Sequence, residues 1–354
     1  MAAGPLDVAA GCGMTTSHVL KGSRTKVRFA LANPRTRRTT TSLTDFDGPA
    51  IMGNPLGHIL LIANPAAQSG AGAAAADRAA ANLRAALGDA AVTVVRTAGP
   101  RHACAIAQAA EGASTVVALG GDGVIHEVVN GLMGRPAAAR PQLGVIPVGS
   151  GNDYARSLGV PADVDKACKA LLAAQAQPTD VGCVNGEYFA ETLSFGLDAA
   201  IALDTMERRK RTGRHGAALY MASGFDQLFH HLDERVYRLQ LDDGPVVEGK
   251  SITFAVQMGP YYGGGFRICP AARLDDGLFS LCISHPPISP AGAAAIFLRA
   301  KNGNHVNSKR MEFHQACRVH VEFESIPPAQ VDGERIEAKT FEAEVKPAAL
   351  RVLR

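Results

Sequence analysis

Asp122 stands in the run "VALGGDGVIHEVVNG", residues 117–131, where three glycines flank a carboxylate between an apolar stretch and a helix-forming one. Gly120, Gly121 and Gly123 carry no Cβ to hold an anion off the backbone, and they allow positive φ at a tight turn. Such a turn at a helix N-terminus cradles phosphate. A carboxylate in it repels phosphate unless a divalent cation lies between them, so Asp122 reads as metal-linked rather than as a base. Two further elbows of this kind occur, "NPAAQSGAG" at 64–72 and "PVGSGND" at 147–153. Any one of them alone could equally be glycine closing a strand-to-helix turn; three in one region favour a phosphate site.

The elements around these elbows alternate. "HILLIANP", "AVTVVRTAG", "STVVALGG" and "QLGVIPVG" are short apolar strands, and "AAAADRAAANLRAALG", "RHACAIAQAAEG", "VIHEVVNGLM" and "DYARSLG" are the helices between and after them. Val124, Val128 and Leu132 share one stripe of the third helix. This predicts an α/β domain with a parallel sheet over residues 58–180, its ligand at the carboxyl ends of the strands. From 181 to 354 the texture changes to alternating and β-branched segments such as "RVYRLQLDDG", "KSITFAVQMG" and "CRVHVEFES", predicting a mostly antiparallel β-sandwich, with the active site in the cleft between the two domains and the last strand free to pack back on the first. Residues 198–232 read as helices on either side of a basic loop.

Composition excludes several classes. The net charge of +3 over 354 residues is too small to announce a nucleic-acid binder, and none is expected as a partner. Seven cysteines, odd in number and never spaced Cys-x-x-Cys, argue against a disulfide framework or a zinc site and for a reducing compartment. No apolar run of 18 residues occurs, so any membrane contact is peripheral. Residues 1–57 read as a disordered extension rich in Arg, Thr and Ser; an organelle transit peptide and a start assigned upstream of Met14 or Met52 fit that composition equally. A literal Walker A pattern, "GPVVEGKS" at 244–251, follows a turn signal and runs into a strand-like segment where a P-loop needs a helix, which rules against it. A dinucleotide fingerprint fails because His126 stands where its third glycine belongs.

"GGDGVIHEVVNG" with "PVGSGNDYAR", the "ANP" elbow, "YYGGGFRICPAARLDDGLF" and "VDGERI" resembles, in order and over residues 58–353, the diacylglycerol kinase catalytic family, which includes bacterial soluble lipid kinases and sphingosine kinases. The resemblance implies ATP-dependent phosphorylation of a lipid hydroxyl, with ATP and Mg²⁺ as cofactors. It assigns ATP contacts to Asn64, Pro65, Ser69, Gly70, Thr97, Gly120, Gly121, Asp122, Gly123, Val124, Ile125, His126, Ser150, Gly151, Asn152 and Asp153. It assigns a structural magnesium to the carbonyls of Arg273 and Leu278 and the carboxylate of Asp276, and catalysis to Asp332 and Glu334. Read without it, "LDDG" and "VDGE" are also ordinary hairpin turns. The implied acceptor is diacylglycerol or a related lipid alcohol, with a sphingoid base, NAD, or a non-catalytic sensor as alternatives. Val124 departs from the family's usual threonine and removes a hydroxyl worth about 0.5–1.5 kcal/mol in one hydrogen bond. The basic run 206–216, with Arg208, Arg209, Lys210, Arg211, Arg214 and His215, could dock on anionic headgroups or be a solvated loop. The expected location is cytoplasmic, peripheral to the membrane; a homodimer is left open.

Overall fold

A computed structural model describes residues 54–214 and 217–354. Most of the segment expected to be disordered lies outside these residues, but Asn54–Gly57 do not fit that expectation. They form a turn whose Leu56 is buried in the core, and Thr115 Oγ1 donates to the Leu56 carbonyl.

Four strands, Ile59–Ala63 (β1), Val92–Arg96 (β2), Thr115–Gly120 (β3) and Gln142–Pro147 (β4), pair in parallel in the order β2-β1-β3-β4. β1 and β3 are buried at every position, because helices cover both faces, and this is why they read as continuous apolar runs. The crossovers are Ala71–Leu87 (α1), His102–Gln108 (α2) and Asp122–Met133 (α3). After β4 come Asp153–Ser157 (α4) and Val164–Ala173 (α5). The sequence reading passed over α5, although Asp163 caps it by accepting from the Lys166 N–H at 3.0 Å and Ala167, Cys168 and Leu171 form its buried face.

The second half runs Ala176–Val184 (β5), Glu187–Phe189 (β6), Thr192–Gly196 (β7), Leu197–Thr212 (α6), Ala217–His230 (α7), Arg235–Leu241 (β8), Val247–Ser251 (β9) and Thr253–Gln257 (β10). Phe279–Ser284 (β11), Pro290–Ala300 (α8), Met311–Ala316 (β12), Arg318–Phe323 (β13), Ala329–Val331 (β14), Glu334–Arg335 (β15) and Thr340–Leu353 (β16) complete it. The helix α8 was not expected in a half read as mostly β. The "GPVVEGKS" pattern ends on β9, antiparallel to β8, as its hairpin context requires.

Among the described residues one sheet holds ten strands and the other six. The larger is mixed: β16 lies beside β4, pairing Val352 with Leu143 in parallel, and runs antiparallel to β13 and β5. The expected domain boundary at 180/181 falls inside β5. The smaller sheet, β12-β11-β10-β7-β14-β15, is antiparallel throughout. Alternation sets the interface between sheets: Phe195 and Phe254 from the smaller meet Tyr237, Phe323 and Phe341 from the larger, with Phe195 and Phe341 centroids 4.6 Å apart.

The basic stretch 206–212 is not a loop. It is the last part of α6, where basic residues suit the negative end of the helix dipole. Arg208 is held by Asp204 at 2.6 Å and by Asp226 of α7, and so is not free for a headgroup. At the other end of α6, Asp198 is 2 % exposed, and burial pushes its carboxyl up to about 7. Ionising it therefore costs folding energy that is absent below the ordinary carboxylate range and fully present above pH 7. We expect Asp198→Asn to raise Tm by a few degrees at pH 8, with the advantage vanishing near pH 4, as thermal unfolding across that range would show.

Candidate active site

A cleft of about 720 Å³ opens where the carboxyl ends of β1, β3 and β4 meet the second half of the chain. The three elbows form its floor, and the positive φ expected of the second elbow's glycines is not found. None of Gly120, Gly121 and Gly123 has positive φ. The constraint is contact: a Cβ on Gly121 would lie 3.1 Å from the Gly149 Cα, and one on Gly149 would lie 2.4 Å from the Gly121 Cα. The second and third elbows nest backbone against backbone, and the Gly149 N–H is taken by Asn152 Oδ1. Gln68 ties in the first elbow by donating from Nε2 to the Gly149 carbonyl at 2.8 Å.

Most residues expected to contact ATP line this cleft: Asn64, Pro65, Thr97, Gly121 to Ile125, Ser150, Gly151 and Asp153. Four others have different work. Gly70 caps α1 at φ +100. Gly120 packs against Val124, where a Cβ would meet the valine at 2.8 Å. Asn152, at φ +54, closes its own loop by accepting from the Gly149 N–H at 2.8 Å and donating back to the Gly149 carbonyl at 2.9 Å. His126 is not in the cleft lining; it lies behind Asp332, with its Nδ1 3.2 Å from the Asp332 carboxylate. The side chain of Ser69 lies outside the described residues. Val124 is 8 % exposed and joins the core under the elbow, so its methyl groups replace hydrogen bonding with packing.

Gly121 caps α3 without a side chain, so the positive end of that helix faces the cleft unshielded. Asp122 begins the helix. Burial, reinforced by the neighbouring Asp153, pushes its carboxyl up to about 7. Asp153 is itself engaged: it accepts from the Gly264 and Gly265 N–H groups at 2.8 and 2.7 Å and pairs with Arg156 at 2.7 Å. A crowded carboxylate that resists ionisation is what a divalent cation relieves, so Asp122 fits a magnesium partner.

The cation that no elbow supplies comes from α6. Ala202, Thr205, Met206 and Arg209 line the cleft at i, i+3, i+4 and i+7. The Nε of Arg209 is buried with no hydrogen-bond partner among the described residues, and its guanidinium lies in the field of Asp122. The helical spacing was present in the sequence; reading the basic run as a loop hid it.

Asp332 and Gly333 form the two-residue β14–β15 turn with φ of +46 and +96, the type I′ pattern, so "VDGE" is a hairpin turn and a site at once. Asp332 is buried. Its Oδ1 accepts from the Glu191 and Thr192 N–H groups at 3.0 and 2.9 Å, and its Oδ2 from the Ala190 N–H at 2.7 Å and from His126 Nδ1 at 3.2 Å. Glu334 is exposed at the cleft mouth, near Gly123.

The expected structural metal loop lies away from the cleft. Asp276 Oδ1 accepts from the Leu278 N–H at 3.1 Å, and Asp180 Oδ2 from the Gly277 N–H at 2.7 Å. Burial, then its own turn and the charge of Asp180, govern Asp276, with a net upward shift. The Arg273 side chain turns to Asp275. Among the described residues no cluster of three His, Cys, Asp or Glu side chains could hold a metal, so any ion here relies on the carbonyls of Arg273 and Leu278. No described helix is long and apolar enough to cross a membrane.

Residues 58–184 match the diacylglycerol kinase catalytic domain, and residues 191–354 match the YegS C-terminal NAD kinase beta sandwich-like domain. The diacylglycerol kinase of Bacillus subtilis (strain 168) is 35 % identical over 225 residues, 62 % of this chain and 70 % of that protein. A Pseudomonas aeruginosa (strain UCBPP-PA14) protein named "Probable lipid kinase YegS-like" is 34 % identical over 246 residues, 69 % of this chain and 77 % of that protein. The chain belongs to the diacylglycerol kinase catalytic family. It is a lipid kinase, with ATP as phosphoryl donor and a lipid as acceptor. A crystal structure of a diacylglycerol kinase from Bacillus anthracis str. Sterne has the same fold, with TM-score 0.64 at 22 % identity, covering 84 % of this chain and 96 % of that one.

The nested elbows of this lipid kinase make a specific expectation. Gly121→Ala forces the two loops apart by a few tenths of an ångström at the nucleotide, so KM for ATP rises by about tenfold or more while Tm changes little. Steady-state kinetics and thermal unfolding on the same preparation check both halves.

Proposed function

We propose that the enzyme transfers the γ-phosphoryl group of ATP to the hydroxyl of diacylglycerol or a closely related neutral lipid alcohol, giving phosphatidic acid from diacylglycerol. The observation that supports this reading is the meeting of the open α3 N-terminus, Asp122, Arg209 and Asp332 on one cleft whose other wall carries Met206, Tyr220 and Tyr262.

The chemistry follows from charge. The elbow N–H groups and the α3 terminus take up phosphate charge, and Arg209 reaches the same space from the opposite wall. Bound magnesium supplies further withdrawal of charge from the phosphoryl oxygens, with Asp122 as the residue that holds it there and Asp276 with the Arg273 and Leu278 carbonyls as holders of a structural ion. Ser150, Asn64 and Thr97 hold the nucleotide. Asp332 accepts a hydrogen bond from the lipid hydroxyl and aligns it, and Glu334 at the mouth shares in taking its proton. Transfer through a loose transition state needs that proton removed only late, so a weakly basic carboxylate suffices. Lys210, Arg211 and Arg214, exposed at the end of α6, are the basic residues left to meet an anionic bilayer peripherally.

The test is labelled ATP and magnesium with diacylglycerol, sphingosine, other lipid alcohols and NAD in parallel. The expected outcome is preferential labelling of diacylglycerol and loss of about 100-fold or more in kcat for Asp332→Asn. Preferential labelling of sphingosine or NAD, or undiminished transfer by Asp332→Asn, overturns the reading.

A further inference from the structure

Asp332 is held by four donors, three backbone N–H groups and one imidazole. The three amides belong to consecutive residues at the start of β7 and are fixed by the sheet. The fourth donor is the only side chain of the set, and its contact, at 3.2 Å, is the longest.

That side chain, His126, is 4 % exposed and reaches in two directions. Its Nδ1 faces Asp332 Oδ2, and its Nε2 faces Glu187 Oε1 at 3.1 Å. Glu187, on β6, has a side chain 46 % exposed, so the three residues connect a buried carboxylate to solvent. The distance between helix and strand is fixed by Asn130, one turn on from His126, which accepts from the Tyr188 N–H at 3.0 Å and donates to the Tyr188 carbonyl at 2.8 Å. Burial opposes a charge on His126, but the hydrogen bonds to Asp332 and Glu187 outweigh it and push its pKa up to about 10. Glu187 is held below the usual range chiefly by the same hydrogen bond. The other titratable groups nearby are Asp122 and Glu127 on the same helix and Arg101 and Cys104 at the start of α2, of which Arg101 faces Glu187.

Asp332 also shares its surroundings with Asp122 and Glu191, whose carboxyls burial pushes up and which the Asp332 charge pushes up further. We propose that His126 is a positioning residue for phosphoryl transfer: held as an imidazolium between Asp332 and Glu187, it fixes the Asp332 carboxylate and sets a positive charge against it, while Glu187 keeps the imidazole charged from outside. This rests on the reading that Asp332 acts on the lipid hydroxyl. No bond is made or broken at His126; it acts through the hydrogen bond and the charge it presents to Asp332.

Two measurements test it. The ring nitrogens of His126, followed by ¹⁵N NMR on the full chain, are expected to report imidazolium at pH 8, and Glu187→Gln is expected to lower the titration midpoint by about one unit or more. A neutral ring at pH 8, or a midpoint unmoved in Glu187→Gln, overturns the proposal, and neither result depends on activity. In kinetics, His126→Gln retains an N–H donor without the charge. Its acid limb of kcat/KM is expected at higher pH than in wild type, because Asp332 has lost its cation; a uniform loss with the limb unmoved reduces His126 to packing and overturns the proposal. Wild-type imidazolium together with undiminished transfer by Asp332→Asn would instead refute the role given to Asp332 and leave the charge state of His126 standing.

Discussion

Val352 lies beside Leu143 in parallel register, and from that pairing β16 continues past β5 and β13 into the sandwich. One strand thus serves two sheets' worth of packing: its end completes the parallel sheet that holds the elbows, and its Phe341 fills the aromatic core between the sheets. Burial alternates along its first half, as a strand with one solvated face requires, and the register shifts between Lys346 and Leu350. Asp180 pins that irregularity by accepting from the Ala348 N–H at 2.7 Å, and its other oxygen holds the Asp276–Leu278 turn. The parallel strands that carry the elbows and the larger sheet of the sandwich thus share one backbone ladder.

Inside the cleft the organising problem is negative charge. Asp122, Asp153, Glu191 and Asp332 are drawn together out of water, and each answers differently. Asp153 is tied by two amides and Arg156. Glu191, with one oxygen receiving the Ser157 hydroxyl at 2.6 Å and the other without a partner among the described residues, is pushed well up by burial. Asp332 is given three amides and an imidazole. Asp122 has the Tyr154 N–H at 3.3 Å and a weaker backbone contact from Asp153, which leaves it the carboxylate with most to gain from a cation. The acids stand opposite the N-terminus of α3 and Arg209, each held by its own hydrogen bonds or ion pair.

Much of this was legible in the chain. Strands β1 to β4 and their helices follow from apolar runs punctuated by glycine, because burial on both faces leaves no room for polar residues. The elbows were legible as glycine-rich turns that come together on one cleft, but the reason for Gly121 was not: contact with Gly149 is a tertiary fact, and no local pattern encodes it. Arg209 was hidden by charge, since a basic run masks the i, i+3, i+4, i+7 face beneath it. The partnership of Asp332 with His126 joins residues on a hairpin and a helix that only the sheet brings together. "VDGE" was legible as a hairpin turn, and the backbone geometry that makes the tight turn also turns the aspartate inward to the cleft.

The place of β16 also bears on how the chain is made. β4 is the edge of the parallel sheet until β16 arrives, and the partner residue Val352 is synthesised long after Leu143. A nascent chain therefore carries an unpaired, apolar strand edge through most of its translation, the kind of surface on which chains aggregate. Contacts of such long sequence separation close late and slowly. The parallel sheet that carries the elbows gains this neighbour only once Val352 has been made.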